Sequence, residues 1–203
     1  MNISNNTFSD IKKKLDKIDQ DREKILGISR QMVRNCSVAI KAIHREDDRL
    51  YQDKIKEILR GHKDLLDLVK LNPIMFGKYL KTPEQEYIEA VSLYAIINNQ
   101  EIKSPEEYGV DDVNFLLGLA DVVGELRRYV LDKLRRDQIE DLNNILEKME
   151  NLYDLLFSFD YPKGITQDLR RKTDVARGII EKTRGDLSLS IQINKLISNL
   201  EKK

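Results

Sequence analysis

Residues 8–43 read FSDIKKKLDKIDQDREKILGISRQMVRNCSVAIKAI, a stretch without proline in which apolar residues return every three or four positions. This spacing predicts one continuous amphipathic helix. At 1.5 Å per residue the helix would be roughly 50 Å long, which exceeds the width of a compact domain of this size. We therefore expect it either to project from the domain or to pack against a neighbouring subunit. Its apolar positions are Phe8, Ile11, Leu15, Ile18, Ile25, Met32, Cys36, Ala39 and Ile43.

The rest of the chain also shows helical patterns and no convincing strand. A second amphipathic segment covers residues 48–71 and ends at Asn72-Pro73, because proline cannot continue the hydrogen-bond ladder of a helix. Further helices are predicted at about residues 138–157 and 166–203. The sequence therefore predicts an all-α fold of about six or seven helices, organised as one domain over residues 1–203.

Two helix starts carry a capping-box sequence. TPEQ at residues 82–85 and SPEE at residues 104–107 each place a hydroxyl at the N-cap, proline at the first helical position and Glu or Gln at the third. We expect the first to open a helix that carries Glu86 and Glu89. The second should open a short helix that ends near Gly109, after which Asp111 or Asp112 can cap the next helix.

The composition limits the class of protein. Formal net charge is zero, with 34% charged and 40% hydrophobic residues, and residues 71–125 hold ten acidic and three basic residues. A zero balance argues against tight nonspecific binding of nucleic acid. The single cysteine, Cys36, excludes an intramolecular disulfide and fits a reducing interior. The N-terminal sequence lacks the apolar core of a signal peptide, so we expect a cytoplasmic protein without a membrane segment.

Two pairs of carboxylates occupy positions where helices normally place apolar residues. Glu86 and Glu89 are three residues apart in PEQEYIEAVSLYAII, and Asp121 and Glu125 are four apart in DDVNFLLGLADVVGELRRYV. Each pair therefore projects from one helix face. A set of carboxylates alone favours Mg²⁺ or Mn²⁺ over zinc, which usually takes His or Cys. These four acids are candidate metal ligands, and the alternative is that they are surface acids of a highly charged helical protein.

Other residues near the acids narrow the chemistry. Di-iron bundles pair their glutamates with a histidine three residues further on, but the chain has only His44 and His62, and neither stands in that motif. The sequence therefore disfavours a di-iron site.

We expect His62 to lie at the surface of the protein. Gly118 and Gly124 flank the second acidic pair, where the lack of a side chain would let another backbone or a ligand come close.

The two acidic segments resemble the paired signature of Trax in the translin/Trax family. The resemblance rests on QEYIEAVS at residues 85–92 and FLLGLADVVGEL at residues 115–126, with weaker likeness in IHR at residues 43–45 and KTRGD at residues 182–186. It spans most of the chain, and the compact length is similar to archaeal members. It implies a translin-like bundle of about seven helices that assembles into a hollow homo-oligomer, usually an octamer, with RNA enclosed.

The resemblance also implies an activity, that of a Mg²⁺-dependent endoribonuclease acting on single-stranded RNA. Glu86, Glu89 and Asp121 match Trax positions assigned to catalysis, and Glu125 matches the next acid of the same signature. Two or more of these carboxylates would hold the metal, and either Glu89 or Glu125 could serve as the base. Translin-type subunits bind nucleic acid without this acidic set.

Candidate RNA contacts are basic residues on three segments. A stripe on the first helix could follow a phosphate backbone, although a solvated basic face would look the same. Arg128 could reach a phosphate near Glu125 or pair with Glu125 itself at i,i+3. The candidates are Arg30, Arg34, Lys41, His44, Arg128, Arg171 and Lys172.

Two other functions are compatible with parts of the pattern. An all-α nucleoside-triphosphate pyrophosphohydrolase of the MazG kind also uses acids on paired helices, but its second pair would be three apart with Glu first. Asp121 precedes Glu125 by four residues, so the spacing disfavours this enzyme. The other alternative is a noncatalytic, translin-like RNA-binding scaffold.

Overall fold

The computed structural model describes residues 5–201, without the side chains of residues 5, 198 and 201. Within this range the secondary structure is entirely helical, which confirms the all-α class. The long helices are α1 (Asn5–His44), α2 (Asp48–Val69), α4 (Lys81–Ile97), α6 (Asp112–Leu134), α7 (Leu142–Phe157) and α9 (Leu169–Glu201). The short ones are α3 (Pro73–Phe76), α5 (Pro105–Tyr108) and α8 (Lys163–Thr166), with a 3₁₀ turn at Gly77–Tyr79. The predicted end of the last helix, residues 202–203, lies outside the described residues.

The long N-terminal helix has two different parts. From Ile25 onward its apolar face is buried against α2 and α4, and Cys36 is fully enclosed. Towards its start the same face is exposed, with Phe8 and Leu15 each 58% accessible. The expectation that this helix projects is therefore confirmed for its first half. An apolar stripe left exposed in this way is typical of a surface that contacts another molecule.

Helices α4 and α6 form the centre of the bundle. Residues on almost every side of α4 are buried, and α4 packs against α1 on one side and α6 on another. Gly118 allows the close approach of α6, because a Cβ atom added there would lie 2.7 Å from the carbonyl oxygen of Gln85. The same was expected of Gly124, but no atom lies within 4 Å of its Cβ position. Gly118 alone of the two glycines therefore sets the α4–α6 distance.

The predicted helix starts are only partly correct. Ser104 and Glu107 form the expected capping box, Gly109 ends α5 in the left-handed conformation, and Asp111 caps α6. Thr82 does not cap α4, because the helix already begins at Lys81 and Leu80 precedes it without a side-chain hydrogen bond. The preceding 3₁₀ turn leads directly into the helix, since the Leu80 carbonyl accepts from the Glu84 amide. A polar cap is unnecessary there.

His62 is buried, so its expected surface location is wrong. Only 4% of the residue is accessible, and its Nε2 lies 3.1 Å from Oε1 of Glu84, which is itself 1% accessible. The other carboxylate oxygen of Glu84 accepts from Nδ2 of Asn114 at 2.8 Å and from the backbone N–H of Asp111 at 3.2 Å. This network joins α2, α4 and the start of α6. It fixes how α6 enters the bundle beside α4.

None of the helices within residues 5–201 combines the length and the apolar character that crossing a membrane requires.

Candidate functional site

The four predicted acids come together between the central helices. Glu86 and Glu89 project from α4 and are partly buried, and Asp121 and Glu125 project from the facing side of α6 and are also partly buried. Gly118 lies one turn before Asp121, so the close contact it permits brings the two acidic pairs towards each other. The sequence placed each pair on its own helix, and the packing of α4 on α6 makes them one cluster.

The cluster perturbs the acidity of both glutamates on α4. Burial, followed by the negative charges of Asp121, Glu86 and Glu125, raises the pKa of Glu89 to about 8. Burial and the charges of Asp121 and Glu125 also raise the pKa of Glu86, whereas the nearby Lys172 opposes that rise. Both shifts have the same cause, since ionising a carboxylate costs more free energy in a desolvated place beside other carboxylates. The site therefore has an excess of negative charge.

Lys172 partly balances this charge from α9. Its ammonium group donates to Oδ2 of Asp121, and also to Oε1 of Gln85 and the carbonyl oxygen of Leu117, both at 3.1 Å. Its side chain is only 15% accessible. The structure thus places Lys172, which the sequence suggested as an exposed RNA contact, inside the acidic cluster. No pattern in the sequence links residues 121 and 172, because they meet only through the packing of α9 on α6.

Glu125 has a different environment from the other acids. Nε2 of His44 lies 2.5 Å from Oε2 of Glu125, and Nη1 of Arg128 lies 3.4 Å from the same oxygen. The hydrogen bond from His44, and to a lesser extent Arg128, hold the pKa of Glu125 below its usual range. The predicted i,i+3 contact between Arg128 and Glu125 is therefore present. Glu125 is an ionised acid with partners, whereas Glu89 is an acid with repulsive neighbours.

Cys36 of α1 lies near the two glutamates of α4. It is fully buried, and its burial together with the charges of Glu86 and Glu89 raises the pKa of its thiol. A thiol with a raised pKa is a poor nucleophile at neutral pH. The structural role expected for Cys36 is consistent with this environment.

Three buried polar atoms have no hydrogen-bond partner among the described residues. They are Nε2 of Gln85, Oγ of Ser92 and Nδ1 of His44. Gln85 already accepts from Lys172 beside Asp121, so its free amide nitrogen belongs to the margin of the acidic cluster. Buried polar groups are normally paired, so such atoms indicate places where a ligand or water can bind.

The predicted RNA contacts fall into two groups. Arg30, Arg34 and Lys41 are exposed on α1, and Arg171 is exposed near the start of α9. His44 does not belong to the exposed stripe, because it is 6% accessible and bonded to Glu125. His44 at the end of α1, Arg128 on α6 and Lys172 on α9 are therefore neighbours of the acids, through contacts with Glu125, Glu125 and Asp121 respectively.

The donor chemistry of the cluster suits a hard divalent cation. Four carboxylates supply oxygen ligands, and burial together with the charges of neighbouring acids raises the pKa of Glu86 and Glu89 although Lys172 acts in the opposite direction. Among the described residues, however, no three His, Cys, Asp or Glu side chains converge closely enough to hold a metal ion in these rotamers. Binding would require carboxylates to rotate, and Asp121 would have to release Lys172. Mg²⁺ commonly completes its coordination with water and substrate phosphate.

These features define an all-α protein with a carboxylate cluster between its two central helices. Residues 9–185 match the family model of the Translin family, and the chain belongs to that family. An uncharacterized protein of Methanocaldococcus jannaschii is 42% identical over 186 residues, which make up 91% of this chain and 82% of the relative. The resemblance found in the two acidic segments is therefore confirmed.

Solved structures with the same fold are those of C3PO assemblies. The crystal structure of AfC3PO matches with a TM-score of 0.84 and 29% identity, covering 94% of this chain and 99% of the other. A structure described as an AfC3PO–duplex RNA complex matches with a TM-score of 0.83 and 28% identity, covering 94% and 98%. Apo-NeC3PO matches with a TM-score of 0.84 and 28% identity, covering 94% and 100%. The fold is thus the translin-like bundle that the resemblance implied.

Proposed function

We propose that this protein is a Mg²⁺-dependent endoribonuclease that cleaves single-stranded RNA inside a hollow homo-oligomer. The observation that carries the proposal is the cluster of Glu86, Glu89, Asp121 and Glu125, in which burial, together with repulsion from the other acids, raises the pKa of Glu89 to about 8. Acids this strongly perturbed are more common at functional sites than on structural surfaces. Membership of the Translin family and the RNA complex formed by AfC3PO support RNA as the ligand.

Each acid has a proposed part in the reaction. Two or more of Glu86, Glu89, Asp121 and Glu125 would hold Mg²⁺ or Mn²⁺, which when bound lowers the pKa of a water molecule and stabilises negative charge on the phosphate. Lys172, once Asp121 has released it, would keep a positive charge next to the position of the phosphate. Gln85 fixes Lys172 through the contact at 3.1 Å.

The base that accepts a proton from the attacking water is Glu89 or Glu125. Hydrogen bonds from His44 and Arg128 lower the pKa of Glu125, and a stronger acid is a weaker base. Repulsion and burial raise the pKa of Glu89 to about 8, which makes it more basic. Glu89 is therefore the proposed base, and Glu125 is proposed to stay ionised throughout.

Exposed cations on two helices would hold the RNA near the acids. Arg30, Arg34 and Lys41 form a row on α1, and Arg171 lies on α9 one residue before Lys172. Such contacts bind phosphates without reading sequence. Because the description of the AfC3PO complex names duplex RNA, single-stranded and duplex substrates both belong in the test.

The assembly is proposed to be an octamer. The exposed apolar side chains on the first half of α1 have counterparts near the end of α9, where Leu189, Ile193 and Leu196 are exposed. Burying such stripes between copies is the usual route to a closed assembly. Light scattering should give about 190 kDa, eight times the 23.7 kDa chain, and a monomer would contradict the enclosed-RNA arrangement.

The direct test is incubation of the purified protein with end-labelled RNA. We expect internal cleavage of single-stranded RNA with Mg²⁺, and none with EDTA. Glu86→Gln should abolish cleavage and leave binding intact, whereas Glu101→Gln, an exposed change in the loop after α4, should behave as wild type. Cleavage that survives in Glu86→Gln would remove this residue from the site. Duplex RNA and dUTP serve as parallel substrates, and hydrolysis of dUTP in place of RNA would favour a pyrophosphohydrolase.

A noncatalytic RNA-binding scaffold is the second candidate. The contact between Lys172 and Asp121 favours it, because a lysine that neutralises an acidic cluster also serves a purely structural purpose. The scaffold binds RNA equally well with Mg²⁺ and with EDTA and leaves it uncut. The same incubation therefore separates the two functions.

A further inference from the structure

A cavity of about 470 Å³ lies where the C-terminal ends of α1 and α6 meet, next to the acidic cluster but separate from it. His44 belongs to both places. Its Nε2 is bonded to Glu125, while its Nδ1 edge faces Asp132, which lines the cavity, with 3.9 Å between Nδ1 and Oδ2. The remaining lining residues are all basic: Lys41, Arg45, Arg128, Arg135 and Arg136.

The positive charge of this cavity exceeds the acidic charge beside it. Asp132 is shared by Arg128 at 4.0 Å and Arg135 at 3.5 Å. Glu46 is shared by Arg136 at 3.4 Å and a lysine outside the cavity. Within residues 5–201, Lys41 and Arg45 form no ion pair with any acid. Arg128 also pairs with Glu125 at 3.4 Å, so three acids face five permanent cations.

The helix ends alone do not account for this arrangement. Cations near the C-terminus of a helix are stabilised by its dipole, which explains Lys41, Arg45 and Arg135 without any ligand. Arg128 lies more than a turn before the end of α6, where this effect has faded. The dipole also does not explain His44, which is 94% buried and has no partner for Nδ1.

We propose that this cavity binds a phosphate group of the RNA strand. The bound phosphate would be adjacent along the strand to the phosphate that is cleaved at the acidic cluster. The inference rests on the proposed function and extends it. Guanidinium groups bind phosphate oxygens in bidentate geometry, and four arginines with one lysine around a cavity match such a ligand. His44 borders both places, since its Nε2 is bonded to Glu125 and its Nδ1 edge faces the cavity. The bound strand is thereby held on both sides of His44.

The first experiment measures RNA affinity without cleavage. Wild type, Arg45→Gln, Arg135→Gln and the control Arg60→Gln, an exposed change on α2, are titrated in EDTA with short fluorescent single-stranded RNA at several salt concentrations. We expect each cavity variant to bind RNA about tenfold more weakly. The slope of log K against log salt concentration should become shallower by about one, and the control should match wild type. Equal affinity of all four proteins would overturn the cavity assignment and leave the proposed function standing. A wild type that binds no RNA would overturn both.

The same titration identifies which phosphate is bound. RNA with a 5′-phosphate and RNA with a 5′-hydroxyl should show the same loss of affinity in Arg45→Gln, because the proposed ligand is an internal phosphate. A loss confined to the 5′-phosphorylated RNA would show that the cavity binds a strand end, which contradicts the proposal.

The second experiment uses inorganic phosphate and does not depend on RNA. His44 and His62 are the two histidines of the chain, so an NMR spectrum of protein isotopically labelled at histidine contains imidazole signals from these two residues. The signals of His62 serve as the internal control. Phosphate should shift the His44 signals and leave those of His62, which is buried against Glu84, unchanged. The shift should be lost in Arg45→Gln. Shifts that are absent, or equal for both histidines, would overturn the proposal.

Discussion

Lys172, close to the start of α9, donates a hydrogen bond to Asp121 in the middle of α6. This contact brings a cation into a cluster of four carboxylates, where a divalent ion would be attracted by the same charges. The ammonium group and a metal ion therefore compete for Asp121. The occupancy of the site by metal should depend on how firmly Lys172 is held.

Replacing Lys172 by methionine should increase Mg²⁺ affinity. The change removes the competing positive charge, and we expect binding to become roughly tenfold tighter, about 1.4 kcal/mol. Isothermal titration of the RNA-free protein with Mg²⁺ measures this directly. Lys182→Met, on the exposed face of the same helix, is the control and should leave the affinity unchanged. Weaker Mg²⁺ binding in Lys172→Met would show that Lys172 supports the metal site instead of competing with it.

Glu89 should make the protein less stable as pH rises. Glutamate in an unfolded chain has a pKa of about 4.3, and the folded protein raises the pKa of Glu89 to about 8. The folded state therefore binds this proton more tightly. The contribution of this proton to the free energy of unfolding is fully present below about pH 4.3 and is lost as pH rises to about 8.

Glu89→Gln should remove this pH dependence. In the absence of metal we expect the variant to exceed wild type at pH 8 by a free energy of unfolding on the order of 3 kcal/mol, and to match it near pH 4. Denaturant unfolding at a series of pH values is the measurement. Glu101→Gln should track wild type throughout. A variant that is less stable than wild type at pH 8 would mean that Glu89 has a stabilising partner, which contradicts the electrostatic account.

Glu84 should respond in the opposite way, although it lies on the same helix. Both of its oxygens accept hydrogen bonds in a fully buried network with His62 and Asn114. Glu84→Gln places an NH₂ group where one of two accepting oxygens lies, so the buried network must lose or rearrange hydrogen bonds, and we expect a loss of about 2–4 kcal/mol in the free energy of unfolding. Thermal unfolding of Glu84→Gln and Glu89→Gln side by side at pH 8 distinguishes a structural acid from a functional one. Equal stability of the two variants would contradict this division.

Gly118 should be intolerant of even a methyl group. Its added Cβ would lie 2.7 Å from backbone and 2.8 Å from Cβ of Ile88, so α4 and α6 would have to separate. We expect Gly118→Ala to lower the free energy of unfolding by about 1–3 kcal/mol. It should also weaken the electrostatic interaction between the two acidic pairs, because the helices that carry them move apart. Gly124→Ala is the matched control on the same helix, where open space and better helix propensity predict a neutral or slightly stabilising effect. Unfolding curves that rank the two variants in the reverse order would contradict the packing argument.

Local patterns were sufficient to predict most of the helices. The 3,4 spacing of apolar residues in residues 8–43 and the Ser104 capping box depend on neighbours in sequence, and both are present in the structure. The Thr82 capping box fails because the 3₁₀ turn at Gly77–Tyr79 starts the helix earlier. That turn carries no strong signal of its own.

Contacts between distant segments could not be predicted from the sequence. His62 looks like a surface residue until Glu84, 22 residues further on, is placed against it by the packing of α2 beside α4. Lys172 looks like part of a basic patch until α9 brings it to Asp121, 51 residues earlier. The acids themselves were found because their helical spacing and apolar surroundings are local features. Of their cationic neighbours, Arg128 could be predicted from its i,i+3 spacing to Glu125, whereas the contact of Lys172 with Asp121 could not.

Cleavage of RNA by Asp121→Asn, under conditions where the RNA is fully bound, tests the central claim most directly. Asparagine keeps the shape of Asp121 but removes a negative charge from the proposed metal ligands. With Mg²⁺ present and protein in excess over labelled single-stranded RNA, the account predicts cleavage by wild type and at least 10²-fold slower cleavage by the variant, with RNA affinity unchanged. Cleavage at the wild-type rate by Asp121→Asn, or by wild type in EDTA, would contradict it.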